Sequence, residues 1–334
     1  MGKPLIKEIV TESLSEHPAV KAWCQLERAR IEPGRIDVLK DKRKSAVYRL
    51  HGVGPGGTAV IAKKCSVATA QVERLIYSEF LPRVPASTLQ YYGSLEEPAG
   101  KFCWLFLEEA RGARYWPERD AHRVLAGRWL GTIHLASLSD ELQACLPDRG
   151  MDQYLGLLRS CRATFRQHLD NPELPADDVS LLRTLIEEFD GLEAHWGEVA
   201  GICEVVSPTV VHGDFVPKNI RVRHSPTGPS LLVFDWEMAG WGVSAGDLAH
   251  SVSHAVSPDV DAYCSVLKRD FAHVDVRNIR RVADCGNILR VLDEISWVTI
   301  FLADRPYIYM SKGIAYLRAY ERKLTTDLRT MNWN

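Results

Sequence analysis

Strand-like and helix-like texture are not mixed evenly along this chain, and their order limits the folds open to it. Short β-branched or alternating runs (RIDVLK, SAVYRLHG, TAVIAKK and FCWLFLE) crowd into residues 35–109. One helix interrupts them. ATAQVERLIYSEFL, residues 68–81, sets Val72, Leu75, Ile76 and Phe80 at helical spacing and meets Pro82 and Pro85 at its end. GVGPGG, 52–57, reads as a tight hairpin turn, because glycine tolerates positive φ. From Gly112 the pattern turns helical over 120–138, 151–168 and 178–196. Strand texture returns briefly in VVHGD, NIRVR and LLVFDWE, and from Asp259 the chain is helical again.

This order predicts an α+β protein of two lobes. A small antiparallel-sheet lobe with one helix spans 1–109, with a helical extension over 1–34, and a larger, mostly helical lobe spans 110–334. A length of 334 residues suits two cores better than one. The cleft between such lobes is the default place for a ligand.

Composition removes several classes. Lys and Arg number 41 against 43 Asp and Glu, so no basic excess points to a nucleic-acid partner. The eight cysteines are scattered singly without a CxxC pair, which argues against a zinc knuckle or a thioredoxin-like site. The first residues, MGKPLIKEIV, carry no apolar run ahead of their charges, and no stretch approaches the ~18 apolar residues of a membrane span. The expectation is a cytoplasmic protein with reduced thiols and no membrane partner.

Chemistry concentrates in VVHGDFVPKNIRVR and LLVFDWE. Asp214 and Asn219 are five residues apart, and Asp235 follows 16 further on, each beside a strand-like run. Phosphoryl transfer from a nucleotide needs this set. Mg²⁺ takes a few hard oxygen ligands, here Asn219 and Asp235, and bridges the phosphates. A second carboxylate, Asp214, stays off the metal to receive the proton of the attacking hydroxyl. A cation must also grip the phosphates, and AVIAKK supplies Lys63 or Lys64. Strand alternation puts Ile61 and Lys63 on one face, so Lys63 is chosen, with Ile61 against the adenine. Glu73 in the following helix would anchor that lysine, with Glu79 as competitor. Ser45, in the basic loop LKDKRKS, is the candidate for a direct phosphate hydrogen bond.

At these residues the chain resembles the aminoglycoside phosphotransferase and choline kinase family, a branch of the protein-kinase-like fold. HGDFVPKN (212–219) looks like that family's HGDxxxxN, and VFDWE (233–237) like its hydrophobic-DxE strand. AGWGVSAGDLAH (239–250) looks like its glycine-rich run into DLA, WLGTIH (129–134) like its LxxLH helix end, and WLFLEEARG (104–112) like its hinge strand. The resemblance implies that Asp214 is the base, that Asn219 and Asp235 hold Mg²⁺, and that Lys63 grips phosphate. It also implies that main-chain groups near Leu107, Glu108 and Ala110 bind the adenine, with ATP (or GTP) as the co-substrate. Lys218 stands where many relatives have glycine, and Val216 stands where protein kinases carry lysine. Asp235 is followed by Trp236 and Glu237 rather than by a DFG phenylalanine and glycine, which makes a protein acceptor less expected than a small molecule.

The acceptor should be a small-molecule hydroxyl compound: aminoglycoside-like, an amino alcohol or a sugar. Asp293, Glu294 and Trp297 on the long C-terminal helix, with Asp304 beyond it, would suit a cationic one. Asp247 is expected to hold the HGD loop by hydrogen bonds, and His134 to be a buried structural histidine. A nucleotide-binding pseudokinase, a scaffold without turnover, is the competing class, and the intact Asp214, Asn219 and Asp235 speak against it.

Overall fold

A computed structural model describes residues 7–9, 13–251, 254–271, 274–302, 307–331 and 333. The chain divides into two compact units. The sheet unit runs to Tyr115 and also takes Leu138–Cys145 and Lys218–Ala239. The helical unit comprises Trp116–Ser137, Leu146–Pro217 and the chain from Gly240 onward. Lys218–Ala239 joins the sheet unit because its hairpin pairs with a strand just past the hinge.

In the sheet unit, β1 (Lys7–Glu8), β2 (Arg35–Lys42), β3 (Ser45–His51), β4 (Val60–Ser66), β5 (Tyr91–Glu96) and β6 (Phe102–Glu108) form one antiparallel sheet, ordered β1-β2-β3-β4-β6-β5. The β3–β4 connection is looser than a tight hairpin turn, since it holds a 3-10 turn at Pro55–Gly57. β7 (Ala113–Arg114) pairs with β10 (Ile220–Ser225), which pairs with β11 (Gly228–Val233). α1 (Pro18–Glu27) sends Trp23 into the sheet's core, 5.2 Å from the Phe106 ring and beside Ile36, Leu50 and Val60. The N-terminal helix is therefore part of this core rather than an appendage. Strand and helix patterns meet at one apolar layer, where large buried rings dominate the hydrophobic gain. α2 (Val67–Leu75) is capped by Ser66 and passes into a π-helical turn, Ile76–Phe80, so the helix expected over 68–81 changes pitch before Pro82. α4 (Asp140–Gln143) completes this unit.

The helical unit holds α3 (Asp120–Leu135), α5 (Met151–Gln167), α6 (Ala176–Ala194), α7 (Trp196–Cys203), α8 (Val260–Leu267), α9 (Val276–Thr299) and α10 (Tyr307–Thr330). A small sheet, β8 (Asp148–Arg149), β12 (Gly240–Gly242) and β9 (Thr209–Val211), supports the HGD loop. α9 lies against the 3-10 turn Ser244–Leu248 so closely that a Cβ on Gly286 would stand 1.9 Å from the Ala245 carbonyl oxygen. Among the described residues, no helix is long and apolar enough to cross a membrane.

Candidate active site

In the sheet unit the chemistry starts with strand alternation. Lys63 sits opposite Leu105 on the face of β4 that looks toward α2, and Lys64 takes the other face. Lys64 Nζ bonds Glu97 at 2.6 Å and lies over the Phe102 ring. Lys63 Nζ meets three carboxylates: Glu73 at 2.7 Å, Asp235 at 2.5 Å and Glu237 at 3.1 Å. Glu73 is fully buried on α2, whereas Glu79 is exposed beside Arg83. Burial alone would lower the Lys63 pKa, but Glu73, Asp235 and Glu237 outweigh it and hold it well above the ordinary lysine value. Burial raises the Glu73 pKa, Lys63 opposes that rise, and Asp235 and Glu237 add to it.

Asn219 and Asp235 stand at the open end of the β10–β11 ladder. Ile220 pairs with Val233, and the Phe234 main-chain N–H donates to the Asn219 carbonyl at 3.1 Å. Asp235 has φ 69°, a left-handed conformation that a side-chain-bearing residue rarely holds. That turn brings its carboxylate to Lys63. One ammonium faces three carboxylates here, so acidic groups outnumber the cation that holds them together. Glu73 Oε2 is buried without a hydrogen-bond partner. The Glu73, Asp235 and Glu237 oxygens lie within 4.8 Å of one another. A cluster of carboxylate oxygens of this kind fits a hard divalent cation such as Mg²⁺.

A cavity of about 500 Å³ opens beside this cluster within the sheet unit. Ile61, Lys63, Leu107, Glu108 and Ala110 line it, as do Val47 and Arg49 of β3, whereas Ser45 is not in its wall. Ser45 instead faces Lys42 at the start of the β2–β3 ladder, beyond the cavity. Glu108 accepts from the Gln90 main chain at 3.1 Å and pairs with Arg223, which fixes the hinge strand.

In the helical unit, Asp214 follows β9 on a loop turned by Gly213 at φ 72°. Asp247 holds that loop from beneath, accepting from the His212 N–H at 2.6 Å and the Gly213 N–H at 3.1 Å. Burial pushes the Asp247 carboxyl upward, but His134, His212 and these bonds outweigh it and keep its pKa below the ordinary range. His134 is buried, with Nδ1 2.9 Å from the Tyr263 hydroxyl. Arg290 on α9 clamps the loop: Nη1 donates to the Gly213 carbonyl at 2.5 Å and Nη2 to Asp214 Oδ1 at 2.6 Å. Its Cζ lies 5.6 Å from the Trp297 ring centroid. Sequence reasoning missed Arg290, and it also missed Arg221, which lines the cavity of the sheet unit.

The expected acceptor residues are unequal. Asp293 is buried, 3.4 Å from both Arg149 Nη1 and the Tyr154 hydroxyl. Glu294 lies 4.0 Å from Arg290, and Trp297 is exposed. Asp304 falls outside the described residues.

The profile of the Phosphotransferase enzyme family matches residues 62–284, from the β4 lysines through the HGD loop and into α9. The chain belongs to that family. No curated protein matches it. Solved structures share its fold at low identity. The GDP and kanamycin complex of APH(2")-IIia aligns with a TM-score of 0.59 and 14% identity, over 90% of this chain and 97% of that one. Choline kinase from Cryptosporidium parvum Iowa II gives 0.56 and 10%, over 88% and 90%. The apoenzyme of macrolide 2'-phosphotransferase MphH from Brachybacterium faecium gives 0.55 and 14%, over 84% and 90%. This phosphotransferase thus has the α+β, kinase-like fold that its strand and helix order implied.

Proposed function

We propose that this phosphotransferase moves the γ-phosphate of a nucleoside triphosphate to a hydroxyl of a small molecule, with Mg²⁺. The observation that carries the reading is the buried Lys63 among Glu73, Asp235 and Glu237 at the wall of a nucleotide-sized cavity. Ile61 and the main chain at Leu107, Glu108 and Ala110 would hold the base. Lys63, kept in place by Glu73, would reach the phosphates. Asn219 and Asp235 would hold Mg²⁺, which when bound neutralises phosphate charge and orients the leaving group. Asp214 accepts the acceptor hydroxyl's proton late, because the transition state is loose. Arg290 keeps the Asp214 carboxylate in one orientation, so no rotamer search precedes proton transfer.

The acceptor reading is an aminoglycoside-like compound, an amino alcohol or a sugar. Asp293 and Glu294 have arginine neighbours of their own, so Trp297 is the group of the three with free surface to offer. The test is ³¹P NMR of ATP and GTP with Mg²⁺ and a panel of such acceptors. Transfer should appear with one acceptor, disappear in Asp235→Ala, and fall severely in Asp214→Asn while nucleotide binding persists. Near-normal turnover in Asp214→Asn removes the base assignment, and nucleotide binding without any turnover favours the scaffold.

A further inference from the structure

The cavity of the sheet unit contains cations of two kinds. Arg49 pairs with Asp37 at 2.9 Å and Glu109 at 2.7 Å, Arg111 pairs with Glu109 at 2.9 Å, and Lys63 has its three carboxylates. Arg221 and Lys40 also line the wall, and among the described residues neither has an ion pair. Of these two, Arg221 is the braced one. Its Nη1 donates to the main-chain oxygens of Lys218 at 3.2 Å and Ile220 at 2.7 Å, and its Cζ lies 5.2 Å from the Phe234 ring centroid. It is half-buried and stands opposite Arg114 in the β10–β7 ladder, so a second cation rather than a carboxylate is its ladder neighbour. A half-buried guanidinium with spare N–H donors keeps a desolvation penalty until a ligand supplies acceptors.

We infer that Arg221 reads the purine of the bound nucleotide and makes this phosphotransferase prefer guanine to adenine nucleotides. The inference rests on the proposed reading of the cavity as the nucleotide site. Guanine presents O6 and N7 as adjacent acceptors, whereas adenine presents N7 beside an amino donor that opposes a guanidinium. A guanidinium braced on Phe234 can also stack on a base, and the more electron-rich guanine ring gains more from a cation. The two are alternatives, since pairing with O6 and N7 needs the guanidinium in the plane of the base and stacking needs it over the ring, and either favours guanine. Ile61 and Leu107 give either purine the same apolar contact, so selection falls to the polar group.

Calorimetric binding of GDP, IDP and ADP with Mg²⁺ tests this on the wild type, Arg221→Met and Arg221→Lys. GDP should bind about tenfold or more tighter than ADP, the scale of one good arginine–guanine contact. IDP keeps O6 and N7 without the 2-amino group and should stay close to GDP. Arg221→Met should bring GDP and ADP within about threefold of each other, chiefly by weakening GDP. Arg221→Lys, which retains the charge and the strand packing, should keep part of the preference. ADP binding as tight as GDP overturns the inference. So does an equal weakening of both nucleotides in Arg221→Met, which would put Arg221 on the ribose or phosphates. If none of the three binds the wild type, the nucleotide reading of the cavity falls, and this one falls with it.

Discussion

Lys63→Met isolates how much the sheet unit depends on one ammonium. Methionine preserves chain length and apolar stem, so packing changes little. What it removes is the counter-charge of Glu73, whose carboxylate is 1% exposed while those of Asp235 and Glu237 are 29% and 33% exposed. The two exposed carboxylates can rehydrate, but Glu73 cannot. Breaking a buried pair from one side costs about 3–5 kcal/mol. Glu73 can escape part of that by taking a proton. From an ordinary value of 4.5, protonation at pH 7 costs about 3.4 kcal/mol at 1.36 kcal/mol per unit, and this caps the loss. The cap falls with pH, to about 1.4 kcal/mol at pH 5.5. The sign follows from the shift. Burial already raises folded Glu73 in the wild type against the lowering pull of Lys63; without Lys63 the rise grows, Glu73 keeps its proton further above 4.5 while the unfolded chain loses it, and stability falls more as pH rises. Urea unfolding in EDTA, followed by tryptophan fluorescence at pH 5.5 and pH 7, reads both values. The variant should lose about 3 kcal/mol at pH 7 and under half of that at pH 5.5. Glu73→Gln on top of Lys63→Met should restore most of it. A loss below about 1 kcal/mol at pH 7, or a loss independent of pH, would refute the claim that Lys63 compensates Glu73.

Arg290→Met should lower turnover about 10–100-fold, the value of one charge-assisted hydrogen bond, and change the nucleotide KM little, with Arg290→Lys recovering part; unchanged kcat would make the clamp incidental. Gly286→Ala should cost about 1–3 kcal/mol in urea, because its Cβ would collide with the Ala245 carbonyl, and an unchanged midpoint would show that α9 can shift. Glu188 on α6 is pushed by burial to about 7, although Thr325 donates to it. Its folded form therefore holds a proton that the unfolded chain gives up above 4.5, and that stability is lost as pH rises towards 7. Glu188→Gln should stabilise the protein by about 1–2 kcal/mol at pH 8, after discounting for partial exposure, and not at pH 5; an equal gain at both would remove the titration as cause.

What could be read from the sequence was local. HGDFVPKN and VFDWE each put polar groups at the end of a strand, and the ladder between β10 and β11 keeps Asn219 and Asp235 adjacent because the connection is short. Alternation along β4 is equally local, so Lys63 and Lys64 could be separated once a face was chosen. Strand β5 was missed because YYGSLE mixes aromatic, polar and glycine residues without a clean period, and the pairing with β6 makes it a strand. Arg290 was invisible for another reason. It reaches Asp214 across 76 residues, and nothing in ILRVLDE distinguishes a clamp from a solvated helix arginine. The surroundings of Asp293 were hidden in the same way, since its neighbour Arg149 lies 144 residues away.

The charges of the sheet unit's cavity suggest a direction as well as a ligand. At the Lys63 wall, three carboxylates face one ammonium, so a cation-bearing, phosphate-rich group relieves the imbalance there. At Arg221 a guanidinium with no ion pair among the described residues lies beside Phe234, so an acceptor-rich, uncharged group suits it there. A nucleotide bound with Mg²⁺ has that polarity along its own length, and reversing it would place phosphates against carboxylates. The helical unit differs: Asp214 and Asp293 each sit against an arginine, and Glu294 lies near both Arg290 and Lys323, so cations match these carboxylates. Divalent-cation dependence should therefore follow substitutions at Asp235 and Glu237 and be indifferent to those at Asp293, a contrast that Mg²⁺ titration of nucleotide binding reads directly.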